Sequence, residues 1–189
     1  TEIHLDNMAR PIVIGTSSVR RRALLKHFFP HIELKDIRGN VDTRIQKMES
    51  GAYDGIILAR AGVKRMGLER YVVQKFNPAI FTPAIGQGAI AVVGRENDPI
   101  QQKIHEALDH LATHYALKAE RAFLRKLNGG CSVPAFGLAN IVQDQMHMTE
   151  GLFDDESGEM IRVEGDEKLS AAVSLGTQLA EQVLNKVAS

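Results

Sequence analysis

The sequence is poor in the features that mark exported, disulfide-bonded or membrane-spanning proteins. Its 189 residues include one cysteine and no tryptophan, and aromatic residues make up 5% of the chain. A single cysteine excludes an internal disulfide framework and is typical of a reducing compartment. No run approaches the roughly 18 consecutive apolar residues of a membrane span, and the start shows no basic-then-apolar signal pattern. We therefore expect a cytoplasmic protein that does not bind membranes.

The composition is otherwise that of a globular protein, with 44% hydrophobic and 24% charged residues. The net charge is zero, which together with the few aromatic residues argues against a nucleic-acid-binding protein. The charge is unevenly distributed, however. Residues 1–70 carry 13 Lys and Arg against 8 Asp and Glu, whereas residues 71–189 carry 10 against 15. This asymmetry indicates a local anion site in the first part of the chain.

Strand and helix patterns alternate in that first part. The apolar runs predict strands over Pro11–Ile14, Ile32–Ile37 and Tyr53–Ala59. Between and after them, amphipathic runs predict helices over Val19–Phe29, Val41–Met48 and Ala61–Met66. Strands and helices that alternate at this spacing form βαβ units, so the sequence predicts an α/β domain with a mainly parallel sheet.

The second part has a different pattern. A glycine-containing turn at 84–88 is predicted to lead into an apolar strand that ends near Val93, and helices are predicted over 99–111 and 114–127. Strands over 135–142, 146–153 and 160–164 follow, and a last helix covers 167–187. Short turns between these strands favour antiparallel pairing. We therefore expect a small α+β domain with a three-stranded antiparallel sheet and helices.

Polar loops rich in arginine follow the first three predicted strands. Ligands gather at the carboxyl ends of strands in open α/β sheets, and the arginine fork suits carboxylates and phosphates. We therefore interpret this set as a site for a polyanion. The alternative is a set of solvated arginines that pair with Glu33, Asp36 and Asp42. The set comprises Thr16, Ser17, Ser18, Arg20, Arg21, Arg22, Arg38, Arg44, Arg60 and Arg65.

The lone cysteine, Cys131, is the first side chain after a predicted helix stop at Asn128-Gly129-Gly130. Glycine and asparagine tolerate the positive φ angles that end helices, so this position is a turn. A lone cysteine is either a small buried hydrophobe or a reactive group, and the residue alone does not distinguish these. The seven histidines show no metal-ligand spacing, so we expect no metal site.

Five motifs in order resemble porphobilinogen deaminases, also called hydroxymethylbilane synthases, over about residues 12–140. They are Gly15-Thr16-Ser17-Ser18-Val19-Arg20-Arg21; Ile37-Arg38-Gly39-Asn40 with Thr43-Arg44; Ala61-Gly62-Val63-Lys64-Arg65-Met66-Gly67; Ala84-Ile85-Gly86-Gln87-Gly88-Ala89; and Glu120-Arg121-Ala122-Phe123-Leu124 followed by Gly129-Gly130-Cys131-Ser132-Val133-Pro134. The tail from 141 onwards carries no diagnostic motif.

The resemblance implies a domain organisation. Residues 1–83 would be the family's second domain, a periplasmic-binding-protein-like α/β domain that binds anions. Residues 84–107 would cross back towards a first domain that this chain lacks. Residues 108–189 would be the α+β domain that bears the cofactor, and the full-length protein would be a monomer.

The resemblance also implies a reaction. Members are transferases of tetrapyrrole (haem) biosynthesis that join four porphobilinogen molecules head to tail, with loss of ammonia, to give hydroxymethylbilane. A dipyrromethane cofactor, linked by a thioether to Cys131, primes the growing polypyrrole. By position in the motifs, the cofactor-binding residues would be Cys131, Thr16, Ser17, Ser18, Arg20, Arg21, Arg38, Gly39 and Arg44. The substrate-binding residues would be Arg20, Arg44, Arg65 and Gln87, while Arg22 and Arg60 have no assigned role.

One part of the family pattern is missing. Members handle protons with an aspartate in a Lys-Asp pair of the first domain, and no segment here matches it. We therefore expect no catalytic residue in this chain and no turnover by it alone. Asp36, Asp42 and Glu120 are instead explained by pairing with arginine or by helix capping. A non-catalytic anion-binding module, or an inactive fragment that keeps the fold, remains the alternative.

Overall fold

The structure is a computed structural model that describes Leu5 and residues 12–128, 133–154 and 157–188. The chain divides into two compact units, Thr1–Phe81 and Thr82–Ser189. The expected combination of a parallel sheet, an antiparallel sheet and helices is confirmed. We describe each unit by itself.

The first unit is built on a three-stranded parallel sheet with strand order β2-β1-β3. Helices follow each strand, as the alternating pattern predicts. In chain order the elements are β1 (Val13–Gly15), α1 (Val19–Phe28), β2 (Glu33–Lys35), α2 (Val41–Glu49), β3 (Gly55–Ile56) and α3 (Arg60–Arg65), and a short 3₁₀ turn covers Glu69–Tyr71.

Side-chain caps define where the two longer helices of this unit begin. The Ser18 side chain accepts from the backbone N–H of Arg21 at the start of α1, and Asn40 does the same for Thr43 at the start of α2. Burial of apolar side chains then holds the layers together. The core cluster consists of Leu5, Ile12, Ile14, Leu25, Phe29 and Ile32.

The second unit contains an antiparallel sheet with strand order β4-β5-β6. In chain order its elements are α4 (Ile100–Leu108), α5 (Leu111–Lys126), β4 (Ala135–Val142), β5 (Gln145–Phe153), β6 (Met160–Lys168), a 3₁₀ turn (Leu169–Ala171) and α6 (Ala172–Val187). Strand β6 continues four residues beyond the predicted end, so the last helix begins later than its pattern indicated.

Helices α5 and α6 pack closely on each other and on the sheet. Phe123 of α5, Leu179 of α6 and Met146 and Met148 of β5 share one core cluster. The two helices approach so closely that a Cβ at Gly176 would overlap the backbone carbonyl oxygen of Ala119. This crossing fixes the position of α5, which carries residues of the site described below.

The predicted strand that ends near Val93 is not formed. Residues 89–95 have neither helix nor strand, and Ile90 and Val93 are 95% and 90% exposed. An apolar run becomes a strand only when another strand pairs with its backbone, and within the described residues none does. Among the described residues, no helix is long and apolar enough to cross a membrane.

Candidate functional site

The carboxyl ends of β1, β2 and β3 lie side by side because the three strands are parallel neighbours. Hydrogen bonds tie the following loops together. The Ser17 hydroxyl donates to the carbonyl oxygen of Ile37 at 2.8 Å and accepts from its N–H at 3.0 Å. Arg21 Nη1 donates to the carbonyl oxygen of Ile57 at 3.1 Å. The loops after all three strands therefore form one edge, as the sequence predicts.

Three guanidinium groups crowd this edge. Arg20 is 9% exposed, and its burial, with the adjacent charge of Arg21, lowers its pKa to about 10. Burial also lowers the pKa of Arg21, and the charge of Arg44 adds to this effect. With a pKa of about 10, Arg20 remains a cation at neutral pH. Buried like charges repel each other, so an anion between them would relieve an unfavourable interaction.

The loop after β2 contains a position, Gly39, that has no room for a side chain. Gly39 has φ +125°, which side-chain-bearing residues rarely adopt, and a Cβ there would lie 2.8 Å from Cβ of Thr43. Its carbonyl oxygen accepts from Arg44 Nε at 2.8 Å, which orients the fork of Arg44. Arg38 is exposed, and its carbonyl oxygen accepts from Lys47 Nζ at 3.0 Å.

The alternative interpretation, in which the arginines pair with nearby acidic residues, is correct for one arginine of the predicted set. Arg22 Nη1 lies 3.0 Å from Asp36 Oδ1. In contrast, the described part of the chain brings no carboxylate within salt-bridge distance of Arg38, Arg44 or Arg65. Arg65 and Arg60 lie on α3 and are exposed. Arg22 thus has an acidic partner, whereas the described residues place no carboxylate beside Arg38, Arg44 or Arg65.

The predicted hydroxyl ligands hold the loop itself. Thr16 is 2% exposed, and its Oγ1 accepts from the N–H of Ser18 at 3.4 Å. The Ser18 hydroxyl caps α1, and the Ser17 hydroxyl binds both backbone groups of Ile37. These side chains shape the loop between β1 and α1, and any contact between them and a ligand stays a prediction.

Sequence models of one family match both parts of the chain. The model described as the dipyromethane cofactor binding domain of porphobilinogen deaminase matches residues 1–103, and that of its C-terminal domain matches residues 114–185. The chain belongs to the porphobilinogen deaminase family. The resemblance carried by the five motifs is thereby confirmed.

Individual porphobilinogen deaminases agree with this assignment. The protein of Desulfosudis oleivorans is 42% identical over 185 residues, which is 97% of this chain and 60% of the relative. Those of Thermus thermophilus and Roseiflexus sp. are 41% and 40% identical, over 96% and 92% of this chain. They are covered to 61% and 57% of their own length. The chain thus spans about 60% of the length of these relatives.

The proposed attachment residue, Cys131, lies outside the described residues. On its N-terminal side, α5 ends at Lys126 and Asn128 has φ +51°, which agrees with the predicted helix stop. On its C-terminal side, β4 begins at Ala135.

Gln87, the predicted substrate-binding residue of the second unit, lies on a tight exposed turn. Its neighbours Gly86 and Gly88 have φ +76° and +84°, and the N–H of Gln87 donates to the carbonyl oxygen of Ala84 at 3.1 Å. The turn leaves the Gln87 side chain accessible.

The explanation of Glu120 by an arginine or a helix cap is wrong. Glu120 is 5% exposed, and its two oxygens accept from backbone N–H groups of Gly86 at 2.6 Å and Ala139 at 3.0 Å. Burial raises its pKa, and these two N–H groups oppose that rise. Asp36 does pair with arginine, as expected, and Asp42 lies in the first turn of α2, where its charge is favourable.

A second buried acid, Glu150 on β5, was missed. It is completely buried, and neither carboxylate oxygen has a hydrogen-bond partner among the described residues. Burial, and secondly the charge of Glu120, raises the pKa of Glu150 well above its ordinary value. The signal was present in the sequence, because strand alternation places Glu150 on the same face as the buried Met146 and Met148.

The described residues contain no group of three or more His, Cys, Asp and Glu side chains that could hold a metal ion.

Proposed function

We propose that this chain carries the cofactor- and substrate-binding parts of a porphobilinogen deaminase. The activity would be the head-to-tail condensation of four porphobilinogen molecules, with loss of ammonia, to hydroxymethylbilane. Family membership and the matched cofactor-binding domain support this proposal.

The observation that carries the proposal is the crowding of Arg20, Arg21 and Arg44 at the carboxyl edge of the parallel sheet. Each pyrrole of the cofactor and substrate would bring an acetate and a propionate. A row of carboxylates neutralises a row of guanidinium groups through short, charge-assisted hydrogen bonds. The residues at this edge therefore fit a dipyrromethane.

Each group of the chain has a distinct proposed task. The bound cofactor would supply a pyrrole end, anchored through the Cys131 sulfur, to which the substrate is joined. Arg20, Arg21, Arg38 and Arg44 would bind its carboxylates, with Thr16, Ser17, Ser18 and Gly39 shaping the loops around them. Arg20 and Arg44 would also orient the incoming porphobilinogen, and Arg65 and Gln87 would complete its binding.

The finer features of the fold and setting are also proposals. The β2-β1-β3 order of the parallel sheet is compatible with one half of a periplasmic-binding-protein-like domain. We place the protein in the cytoplasm, in agreement with its single cysteine, and propose that the full-length form acts as a monomer.

Arg20→Leu and Arg44→Leu test the anion site. A charge-assisted hydrogen bond contributes roughly 1.5–3 kcal/mol, so each change should weaken porphobilinogen binding about tenfold to 150-fold. Arg44→Lys should also weaken it, because an ammonium cannot replace the planar fork. Isothermal titration calorimetry measures these affinities directly.

Arg70→Leu is the matched control. Arg70 lies in the same unit and is exposed, and its contacts are with the side chain of Tyr71. Its replacement should leave porphobilinogen affinity within about twofold of the wild type. Equal losses at positions 20, 44 and 70 would show that charge in general, and not this edge of the sheet, attracts the ligand.

A further inference from the structure

We infer that Glu120 is a positioning residue whose carboxylate holds the Gly86–Gly88 turn, and with it Gln87, on the C-terminal unit. The part that concerns substrate binding by Gln87 rests on the proposed function. The hydrogen-bonding role of Glu120 rests on geometry alone.

Residues 82–85, which lead to the turn, contact other parts of the second unit. Thr82 is fully buried, and its Oγ1 accepts from Arg162 Nη2 at 3.1 Å. The carbonyl oxygen of Pro83 accepts from the N–H of Gly137 at 3.0 Å. Ile85 packs against the core cluster beneath the sheet. These contacts fix residues 82–85, but none of them involves the Gly86–Gly88 turn itself.

Glu120 provides the contact at the turn. Its Oε2 accepts from the N–H of Gly86 at 2.6 Å, and its Oε1 accepts from the N–H of Ala139 on β4 at 3.0 Å. The helix around it is rigid, because Ala119 and Phe123 are buried in the core. One carboxylate thus joins α5, β4 and the turn, and Gln87 is the next residue after the one it binds.

A neutral Glu150 favours the ionised form of Glu120, which accepts the two backbone hydrogen bonds. The two carboxyl groups interact, and only Glu120 receives backbone N–H donors. The residues paired with Glu150 across the sheet are Gly137 and Val163, and a Cβ at Gly137 would overlap the Glu150 carboxyl group. N–H donors favour the ionised form of a carboxyl group, whereas burial without donors favours the neutral form. The geometry therefore favours a neutral Glu150 and an ionised Glu120.

Amide hydrogen exchange on the ¹⁵N-labelled 189-residue protein tests the hydrogen-bonding role. In Glu120→Ala, the amides of Gly86 and Ala139 should exchange at least about tenfold faster, while those of β5 and β6 keep their protection. In Glu120→Gln, the side chain has one acceptor oxygen, so one of the two amides should stay protected. Glu181→Gln, an exposed glutamate on α6, is the control and should change neither amide.

If one amide stays protected in Glu120→Gln, the effect is local to the Glu120 hydrogen bonds. A general loss of stability would expose the amides of Gly86 and Ala139 together. If Glu120→Ala does not fold, Glu120→Gln decides alone. Gly86 exchange within twofold of the wild type in folded Glu120→Ala, or exchange of both amides within twofold of the wild type in Glu120→Gln, would overturn the inference.

Porphobilinogen binding tests the link to Gln87. Glu120→Gln and Gln87→Ala should each weaken binding about tenfold, and the double variant should bind no more than twofold worse than the weaker single variant. Fully additive losses would overturn positioning through Gln87. If Gln87→Ala binds like the wild type, or the wild type does not bind, the proposed substrate role fails, and the exchange experiment still decides whether Glu120 holds the turn.

Discussion

Replacing Cys131 with serine is expected to remove both the covalent cofactor and all turnover. The thioether of the family requires a thiolate nucleophile, and a serine hydroxyl is far less acidic and forms no thioether. Cys131 is the sole cysteine of the chain, so no other thiol among these 189 residues can substitute for it. The loss should therefore be complete, larger than that expected at any arginine.

The experiment uses the 189 residues joined to the N-terminal part of a longer relative, because the relatives extend well beyond this chain. Intact-mass spectrometry should show the wild-type protein heavier than its calculated mass by one dipyrromethane. The Cys131→Ser protein should have its calculated mass and no activity. Its fold should stay intact, because sulfur to oxygen is a small change in volume, and its melting temperature should fall only by the stabilisation that the bound cofactor supplies.

A relocated thiol is the matched control. Ser174 lies exposed on α6, so Cys131→Ser combined with Ser174→Cys restores one thiol at a different place. That protein should also lack the adduct. An adduct at position 174 would show that the cofactor attaches to any accessible thiol. Turnover by Cys131→Ser alone would show that the cofactor is attached to a different residue.

The elements that sequence patterns predicted well are those whose signal is local. The strand at 135–142 lies where the alternating pattern places it. The caps of α1 and α2 are Ser18 and Asn40, residue types that capping chemistry favours. The arginine loops were also predictable, because parallel strands bring the loops that follow them to one edge. Local sequence patterns therefore predicted that these loops lie together at one edge of the sheet.

The features that were mispredicted depend on contacts distant in the chain. Ile90 and Val93 have strand-like residues but lack a neighbouring strand. Glu120 sits near arginines in sequence, yet its partners are Gly86 and Ala139, which lie 34 and 19 residues away.

Glu150 gives the second large prediction: the second unit should lose stability as the pH rises. Burial, with the charge of Glu120, raises the folded-state pKa of Glu150 well above 4.5. Below pH 4.5 the carboxyl group is protonated in both folded and unfolded chains, so its burial carries no ionisation cost. Above that pH the unfolded chain ionises first, and the free energy of unfolding falls by up to about 1.4 kcal/mol per pH unit. The decline stops only once Glu150 also ionises in the folded state.

Glu150→Gln removes this titration while preserving the shape of the side chain. Other carboxylates change stability with pH in both proteins, so the informative quantity is the difference between their free energies of unfolding. That difference should move in favour of Glu150→Gln between pH 5 and 9, by up to about 1.4 kcal/mol for each unit. Urea unfolding followed through the amide signals of β5 and β6 reports on this unit.

The matched control is Glu167→Gln, at an exposed position on the neighbouring strand β6. Its difference from the wild type should stay nearly constant over the same range, because substitutions at exposed positions usually change stability by less than about 0.5 kcal/mol. Glu150→Leu tests the direction of the effect. An apolar side chain needs no hydrogen-bond partner, so the Glu150→Leu protein should be more stable than the wild type at pH 8. A constant difference for Glu150→Gln, together with a less stable Glu150→Leu at pH 8, would mean that Glu150 is ionised and paired in the folded protein. The division of roles in which Glu150 is neutral and Glu120 is the ionised acceptor would then be wrong, and hydrogen exchange would still decide whether Glu120 holds the turn.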